Sequence, residues 1–400
     1  MKAKIDISTL FVPQEEKLAI SNSQQQLCIG IPKECSVSEN RLGLNPDGVD
    51  FLVKQGHVVM VETGAGLRSQ YSDADFSEVG ARIVYNPKDI FACPIVLKIN
   101  APTPIELSWM KGRQVLISAI QPHKVDRGYF QILAKKYITA IGFEILKDNS
   151  GSFSVVRSMS EIAGSSVMQI ASHYLSNSSG GIGRLLGGIP GIPPAEVVIL
   201  GSGTVAEYAT RTALGLGASV KVFDTKLDRL RRFQSLFTER VYTSLAKPKI
   251  IEQALLNADV SIGAMRAHTK RTPMLVNSDL VSRMKTGSII IDVSIDRGGC
   301  FETSELTTIE DPVFTKFGVI HYGVPNIGST VSRTATYALS NIFSSLLLSI
   351  SERGGVAHLL AEDEYFRNSI YSYQGKSTNK LISDLFDLPY TNLNLFFHNY

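Results

Sequence analysis

Glu196-Val-Val-Ile-Leu200 runs straight into Gly201-Ser202-Gly203-Thr204-Val205-Ala206. An apolar strand, a glycine turn and a helix continuing through Glu207 to Leu214 follow one another, and a second apolar run, residues 218–223, ends in Asp224. Each position suits dinucleotide binding. Gly201 permits the tight turn, Gly203 lets backbone amides approach a pyrophosphate at the positive end of the helix, and Ala206 allows close helix–strand packing. Thr204 and Val205 open that helix, where backbone N–H groups lack intrahelical partners. Asp224 is placed to accept hydrogen bonds from the adenosine ribose and to repel a 2′-phosphate, so NAD is favoured over NADP. A structural glycine turn that binds nothing is the alternative, but strand, turn, helix, second strand and terminal acid are all in place. Arg229 is either a contact to the adenosine side or a surface helix residue.

The pattern extends in both directions. Upstream, short apolar runs at residues 27–31, 58–62, 95–99, 114–119 and 139–143 alternate with helical spacing, as in residues 46–56 and 129–136. Strands separated by helices imply crossover connections and a mostly parallel sheet. Residues 159–175 have helical spacing, and a glycine-punctuated stretch from Gly180 to Gly191, closed by Pro193-Pro194, reads as turns and a hairpin. Strand and helix alternate again from Glu196 to about Tyr322, and residues 334–350 form a long apolar helix. The fold expected is α/β: two units with parallel sheets, joined by two long helices.

Composition narrows the function. The 400 residues suit two domains, and with 44% hydrophobic and 19% charged residues they can bury sizeable cores. A net charge of +3 argues against a dedicated nucleic-acid binder. The densest basic spot, Arg229, Arg231 and Arg232, reads as a solvated helix face. Four cysteines form no CxxC pair; Cys28 and Cys35 are near in sequence, but buried free thiols in a reducing compartment are the better reading. Seven scattered histidines show no ligand spacing, so no metal is expected. Residues 1–20 lack the apolar core of a signal peptide, and residues 338–350 are too short to span a bilayer. A soluble, cytoplasmic protein with a small-molecule substrate is expected.

The whole chain resembles the alanine dehydrogenase and transhydrogenase family. The resemblance rests on Ile31-Pro32-Lys33-Glu34 with Glu39-Asn40-Arg41, on Glu62-Thr63-Gly64-Ala65-Gly66, and on Met159-Ser160-Glu161-Ile162-Ala163-Gly164. It rests most specifically on Ile291-Asp292-Val293-Ser294-Ile295-Asp296-Arg297-Gly298-Gly299 and His321-Tyr322-Gly323-Val324-Pro325-Asn326. It implies two Rossmann-like domains with the NAD domain (156–330) inserted into a substrate domain (1–155 and 331–400), and an active site in the cleft between them. It further implies NAD-dependent oxidative deamination of L-alanine to pyruvate and ammonia, and a homo-oligomer, often a hexamer. Arg41 matches the family's carboxylate-binding arginine, a role that suits a planar guanidinium; a surface ion pair with Glu39 is the alternative. Asp296 matches the catalytic-region aspartate, with a turn residue as the alternative. Ser160 and Asn326 match residues near the cofactor phosphates and nicotinamide, or serve as local caps.

Two positions depart from the family pattern. Where relatives carry a second lysine that contacts the substrate carbonyl, this chain has Asn100, and where they carry a general acid/base histidine it has Gln121. Neither amide offers a useful proton near neutral pH. Lys98 lies two residues from Asn100 on one strand, and regular pleating points both the same way; His123 follows Gln121 beyond Pro122. The expectation is that Lys98 and His123 take over the missing roles with Asp296 assisting, against the alternative that both are structural. Other functions left open are a different amino-acid or opine-type substrate, a catalytically weakened NAD-binding sensor or scaffold, and a transhydrogenase subunit.

Overall fold

The computed structural model describes residues 24–148, 150–265 and 272–397; the reading of the N-terminal 20 residues lies outside them. Two sheets order the chain, each built from β-branched runs whose alternate side chains go to opposite faces. The first takes β1 (Cys28–Ile31), β2 (Val58–Glu62), β3 (Arg82–Val84), β4 (Ile95–Asn100), β5 (Val115–Ala119) and β6 (Thr139–Gly142). The second takes β7 (Glu196–Leu200), β8 (Ser219–Asp224), β9 (Tyr242–Leu245), β10 (Val260–Gly263), β11 (Ile289–Asp292), β12 (Val313–Lys316) and β13 (Val319–Tyr322). The C-terminal region, which carries no readable motif, returns to the first sheet as β14 (Ile370–Tyr373) and β15 (Lys376–Ser377).

The sheet orders are β15-β14-β6-β5-β4-β1-β2-β3 and β12-β13-β11-β10-β7-β8-β9. Both are doubly wound: β1 and β4 are neighbours, as are β7 and β10, and the chain leaves in opposite directions from each pair. Crevices at such reversals, beyond the carboxyl ends of the strands, are where ligands bind in open α/β sheets. Only the edges depart from parallel pairing, with β14 antiparallel to β6 and β12 antiparallel to β13.

Two long helices, Ser154–Tyr174 and Ser332–Glu352, connect the sheets and pack against each other. The first lies on the second sheet through Ala163, Val167 and Ala171. Its Gly164 is where it crosses the helix Thr204–Gly215, since a Cβ there would meet the Val205 carbonyl at 2.5 Å. The other helix places Leu339, Phe343, Leu347 and Ile350 on the first sheet, against Ile29, Val61, Leu97 and Ile117. The anticipated hairpin is present, closed by an Ile189–Ile192 bridge. All four cysteines are free, but only Cys93 and Cys300 are buried; Cys35 is exposed. No helix among the described residues is long and apolar enough to cross a membrane.

Candidate active site

The candidate nucleotide site lies where β7 turns into its helix. Gly201 has φ +115°, and a Cβ there would lie 2.5 Å from the Ala264 carbonyl, so only glycine fits. Gly203 is the opposite case: a Cβ would meet nothing within 4 Å. The backbone is therefore bare on the side where a pyrophosphate would approach, and no side chain caps the helix that starts at Thr204. Asp224 ends β8 and is buried. Its Oδ2 accepts from the Ser202 amide (3.0 Å) and hydroxyl (2.7 Å), which ties the glycine turn to β8. Arg229 is half-buried on the helix Leu227–Gln234. Ser160 is no cap: its hydroxyl donates back to the Val156 carbonyl within the long helix (2.7 Å). Among the described residues no cluster of His, Cys, Asp and Glu could hold a metal ion.

The candidate substrate residues lie around the β1/β4 reversal. Lys98 is 3% exposed. Its Nζ lies 2.8 Å from Glu34 Oε2 and 3.8 Å from Glu106 Oε1. Glu34 also accepts from the Ile99 amide (2.7 Å), and Glu106 accepts from the Thr103 amide (2.6 Å). Burial opposes the ammonium, but Glu34 and Glu106 together outweigh it and hold the Lys98 pKa above the ordinary lysine value. The regular pleat that would aim Lys98 and Asn100 alike is broken, because the β4–β5 register shifts between Leu97 and Asn100. Lys98 turns inward onto the two acids, and Asn100 is left half-buried at the strand end. Lys98→Met is expected to cost about 3–5 kcal/mol, because two carboxylates then stay buried without their cation. Denaturant melts check this, and the deficit should shrink as the pH falls toward the carboxylate range, because burial holds the Glu34 pKa above its ordinary value and loss of Lys98 removes the charge that opposes that rise.

Across the cleft, Arg41 and Asn326 meet on one carboxylate. Glu39, 1% exposed, accepts from Arg41 Nε and Nη2, both at 2.7 Å, and from Asn326 Nδ2 at 3.0 Å. The ion pair with Glu39 thus exists, but it is buried on the acid's side rather than a surface pair. It occupies one edge of the guanidinium, Nε with Nη2, and a planar guanidinium has a second, end-on edge that can take a carboxylate through two parallel hydrogen bonds. Asn326 sits at φ 61° and spends its side chain on Glu39, not on capping.

Asp296 lies beyond the end of β11, in the short turn Ile295–Arg297. The buried Asp292 carboxylate holds that turn, accepting from the amides of Ser294 (3.2 Å), Cys300 (2.7 Å) and Phe301 (3.2 Å). His123 is exposed in the turn Pro122–Lys124. Partial burial, then Lys124 and Arg297, hold its pKa below the ordinary histidine value, while Asp296 pulls it back. His123 and Asp296 therefore feel each other across the cleft. Gln121 sits at φ 47°, with its amide on Glu144 Oε1 (2.7 Å). Tyr371 of β14 donates to the same oxygen (3.0 Å), and burial pushes Glu144 above the ordinary carboxylate pKa. Glu34, Glu106, Glu144 and Asp292 were not singled out by sequence reasoning; a charged residue inside an apolar strand, such as Lys98, was the one signal that buried acids must lie nearby.

The description "Alanine dehydrogenase/PNT, N-terminal domain" matches residues 30–163, and its C-terminal counterpart matches residues 167–380. The chain belongs to the alanine dehydrogenase/PNT family. Alanine dehydrogenase of Staphylococcus epidermidis is 37% identical over 366 residues, 91% of this chain and 98% of the relative. Alanine dehydrogenase 2 of Staphylococcus aureus is 36% identical, over 90% of this chain and 97% of the relative. A solved L-alanine dehydrogenase superposes with a TM-score of 0.85 at 36% identity, covering 90% of this chain and 99% of that one. A transhydrogenase from Sinorhizobium meliloti shares the fold with a TM-score of 0.76 at 22% identity, covering 88% of this chain and 99% of its own. This is an alanine dehydrogenase-like oxidoreductase with two Rossmann-like sheets.

Proposed function

We propose that this alanine dehydrogenase-like enzyme uses NAD to oxidise L-alanine reversibly, with water, to pyruvate and ammonium. The observation that carries the reading is the guanidinium edge that Arg41 keeps open beside Asn326, with His123 on the first sheet's side of the cleft and Asp296 on the second sheet's side. The substrate domain is assigned to residues 1–155 and 331–400, the cofactor domain to 156–330, and the assembly to a homo-oligomer.

The turn at Gly201 and Gly203, the helix opening at Thr204 and Val205, and Asp224 would hold NAD, with Ser160, Arg229 and Asn326 around it. When bound, NAD supplies the hydride acceptor. The chain's own residues do the rest. Arg41 fixes the substrate carboxylate through two parallel hydrogen bonds. Asn100 and Gln121 donate to the oxygen or nitrogen on the α-carbon. His123 takes the proton from the amine or attacking water, and Asp296 stabilises the cation that His123 becomes. Lys98, locked on Glu34, contributes charge rather than a proton.

Absorbance of NADH, with L-alanine and NAD or with pyruvate, ammonium and NADH, tests the reaction, and calorimetry tests NAD binding. With His123 as the base, kcat/KM should fall on the acid side of a pKa below 6.5, and His123→Gln should abolish that limb. An unchanged limb would remove His123 from the mechanism. A second reading, an NAD-binding sensor, is favoured by Asn100 and Gln121 and requires NAD binding without turnover on any amino acid.

A further inference from the structure

We propose that Glu39 is a positioning residue that makes substrate and cofactor binding depend on each other; the proposal rests on the assignment of Arg41 to substrate and Asn326 to cofactor. Glu39 lies in the loop between β1 and the helix Pro46–Lys54, on the first sheet's side of the cleft, whereas Asn326 follows β13 on the second sheet's side. Its carboxylate accepts four hydrogen bonds: from Arg41 N (3.1 Å), Nε (2.7 Å) and Nη2 (2.7 Å), and from Asn326 Nδ2 (3.0 Å). All lone pairs of one buried acid are thus spent on the two residues that face substrate and nicotinamide.

The loop around it is fixed to the same segment. The Asn40 amide donates to Ser329 Oγ (2.8 Å), Asn40 Nδ2 to the Ser329 carbonyl (3.2 Å), and Ser329 Oγ to the Ser38 carbonyl (2.8 Å). The backbones on both sides are therefore joined whether or not Glu39 is charged. What Glu39 adds is orientation. It selects which guanidinium edge Arg41 presents, and it holds the amide of an asparagine at φ 61°, whose side chain makes no cap. An acid next to a carboxylate-binding arginine weakens the raw attraction for substrate. That cost is understandable if its purpose is to fix the guanidinium plane against the cofactor side. A cofactor that orders Asn326 then orders Glu39 and Arg41 in the same event, so the second ligand meets a site already arranged.

The test uses the full-length protein with pyruvate as carboxylate probe and no ammonium, so that no turnover occurs. Pyruvate affinity is measured by calorimetry on the free enzyme and on the NADH-saturated enzyme. NADH is expected to tighten pyruvate binding at least tenfold in the wild type. In Glu39→Gln that factor should fall below about twofold, and the loss in alanine oxidation should sit mainly in KM. Asn326→Ala removes the Glu39 partner on the cofactor side, and with NADH held saturating the coupling factor should again fall below about twofold. It also keeps the test decisive if Glu39→Gln fails to fold. A wild type that turns over alanine with no coupling, or variants that keep it, would overturn the proposal. A wild type that binds no NADH would instead overturn the proposed function.

Discussion

Arg41→Ala is expected to lower kcat/KM for L-alanine by about a thousandfold. Truncation removes a two-pronged, charge-assisted interaction with the substrate carboxylate, worth about 1.5–3 kcal/mol per hydrogen bond. It also leaves Glu39, 1% exposed, with only Asn326 beside it, so an uncompensated negative charge faces the place where another anion must bind. The two effects together reach about 4 kcal/mol, which is a factor of roughly a thousand. Because the carboxylate does not react, most of the loss should fall on KM. Arg41→Lys keeps the charge but not the fork, and should recover only part of the loss. Initial rates over a wide range of alanine concentration decide the matter, with a melt to show that the variant is folded. A loss below fivefold would mean that Arg41 serves the Glu39 pair alone and that substrate is held elsewhere.

The strands and the long helices were readable because their signals are local. β2 and β7 match residues 58–62 and 196–200 of the sequence reading; the helix Ser332–Glu352 extends two residues beyond 334–350 at each end, and Ser154–Tyr174 starts five residues before the stretch 159–175 and ends one residue before it does. The doubly wound order follows from alternation and right-handed crossovers. β14 was invisible, since its pairing partner β6 lies far back in the chain and neither run is long enough to announce itself. The Tyr371–Glu144 hydrogen bond spans 227 residues for the same reason.

Within the site, residue types were legible but their partners were not. Arg41 and Glu39 are two apart, which suggests a pair, yet nothing local says that the acid is buried or that Asn326 shares it. The partners of Lys98 lie beyond local reasoning for a specific reason. Period-two reasoning holds only while the register does, and the shift between Leu97 and Asn100 breaks it. The turn bearing Asp296 is likewise shaped by Asp292, whose carboxylate gathers three amides that only the folded loop brings together.

Restoring the family residues at both departures, in Asn100→Lys with Gln121→His, should raise kcat/KM for alanine at least tenfold over wild type. The fold accommodates both. Position 121 has φ 47°, a conformation in which histidine is among the better tolerated side chains, and the hydrogen bond to Glu144 Oε1 is donated by the backbone N–H and is kept. At position 100 the backbone amide lies 3.4 Å from Glu34 Oε2, so a second ammonium on this residue starts beside a carboxylate. The imidazole supplies an acid/base group at a position where Gln121 supplies none, and such groups contribute about 10²–10⁴-fold. The lysine polarises the carbonyl in the same step, so the double variant should exceed the product of the single ones. The pH dependence separates this gain from better binding, since a second imidazole adds a new ionisation to the kcat/KM profile that His123→Gln cannot remove. A double variant no faster than wild type would mean that Asn100 and Gln121 are matched to a different substrate. Two neutral amides facing the α-carbon suit a group that must be held by hydrogen bonds rather than protonated. The next substrates to try would then be secondary amines of the opine type.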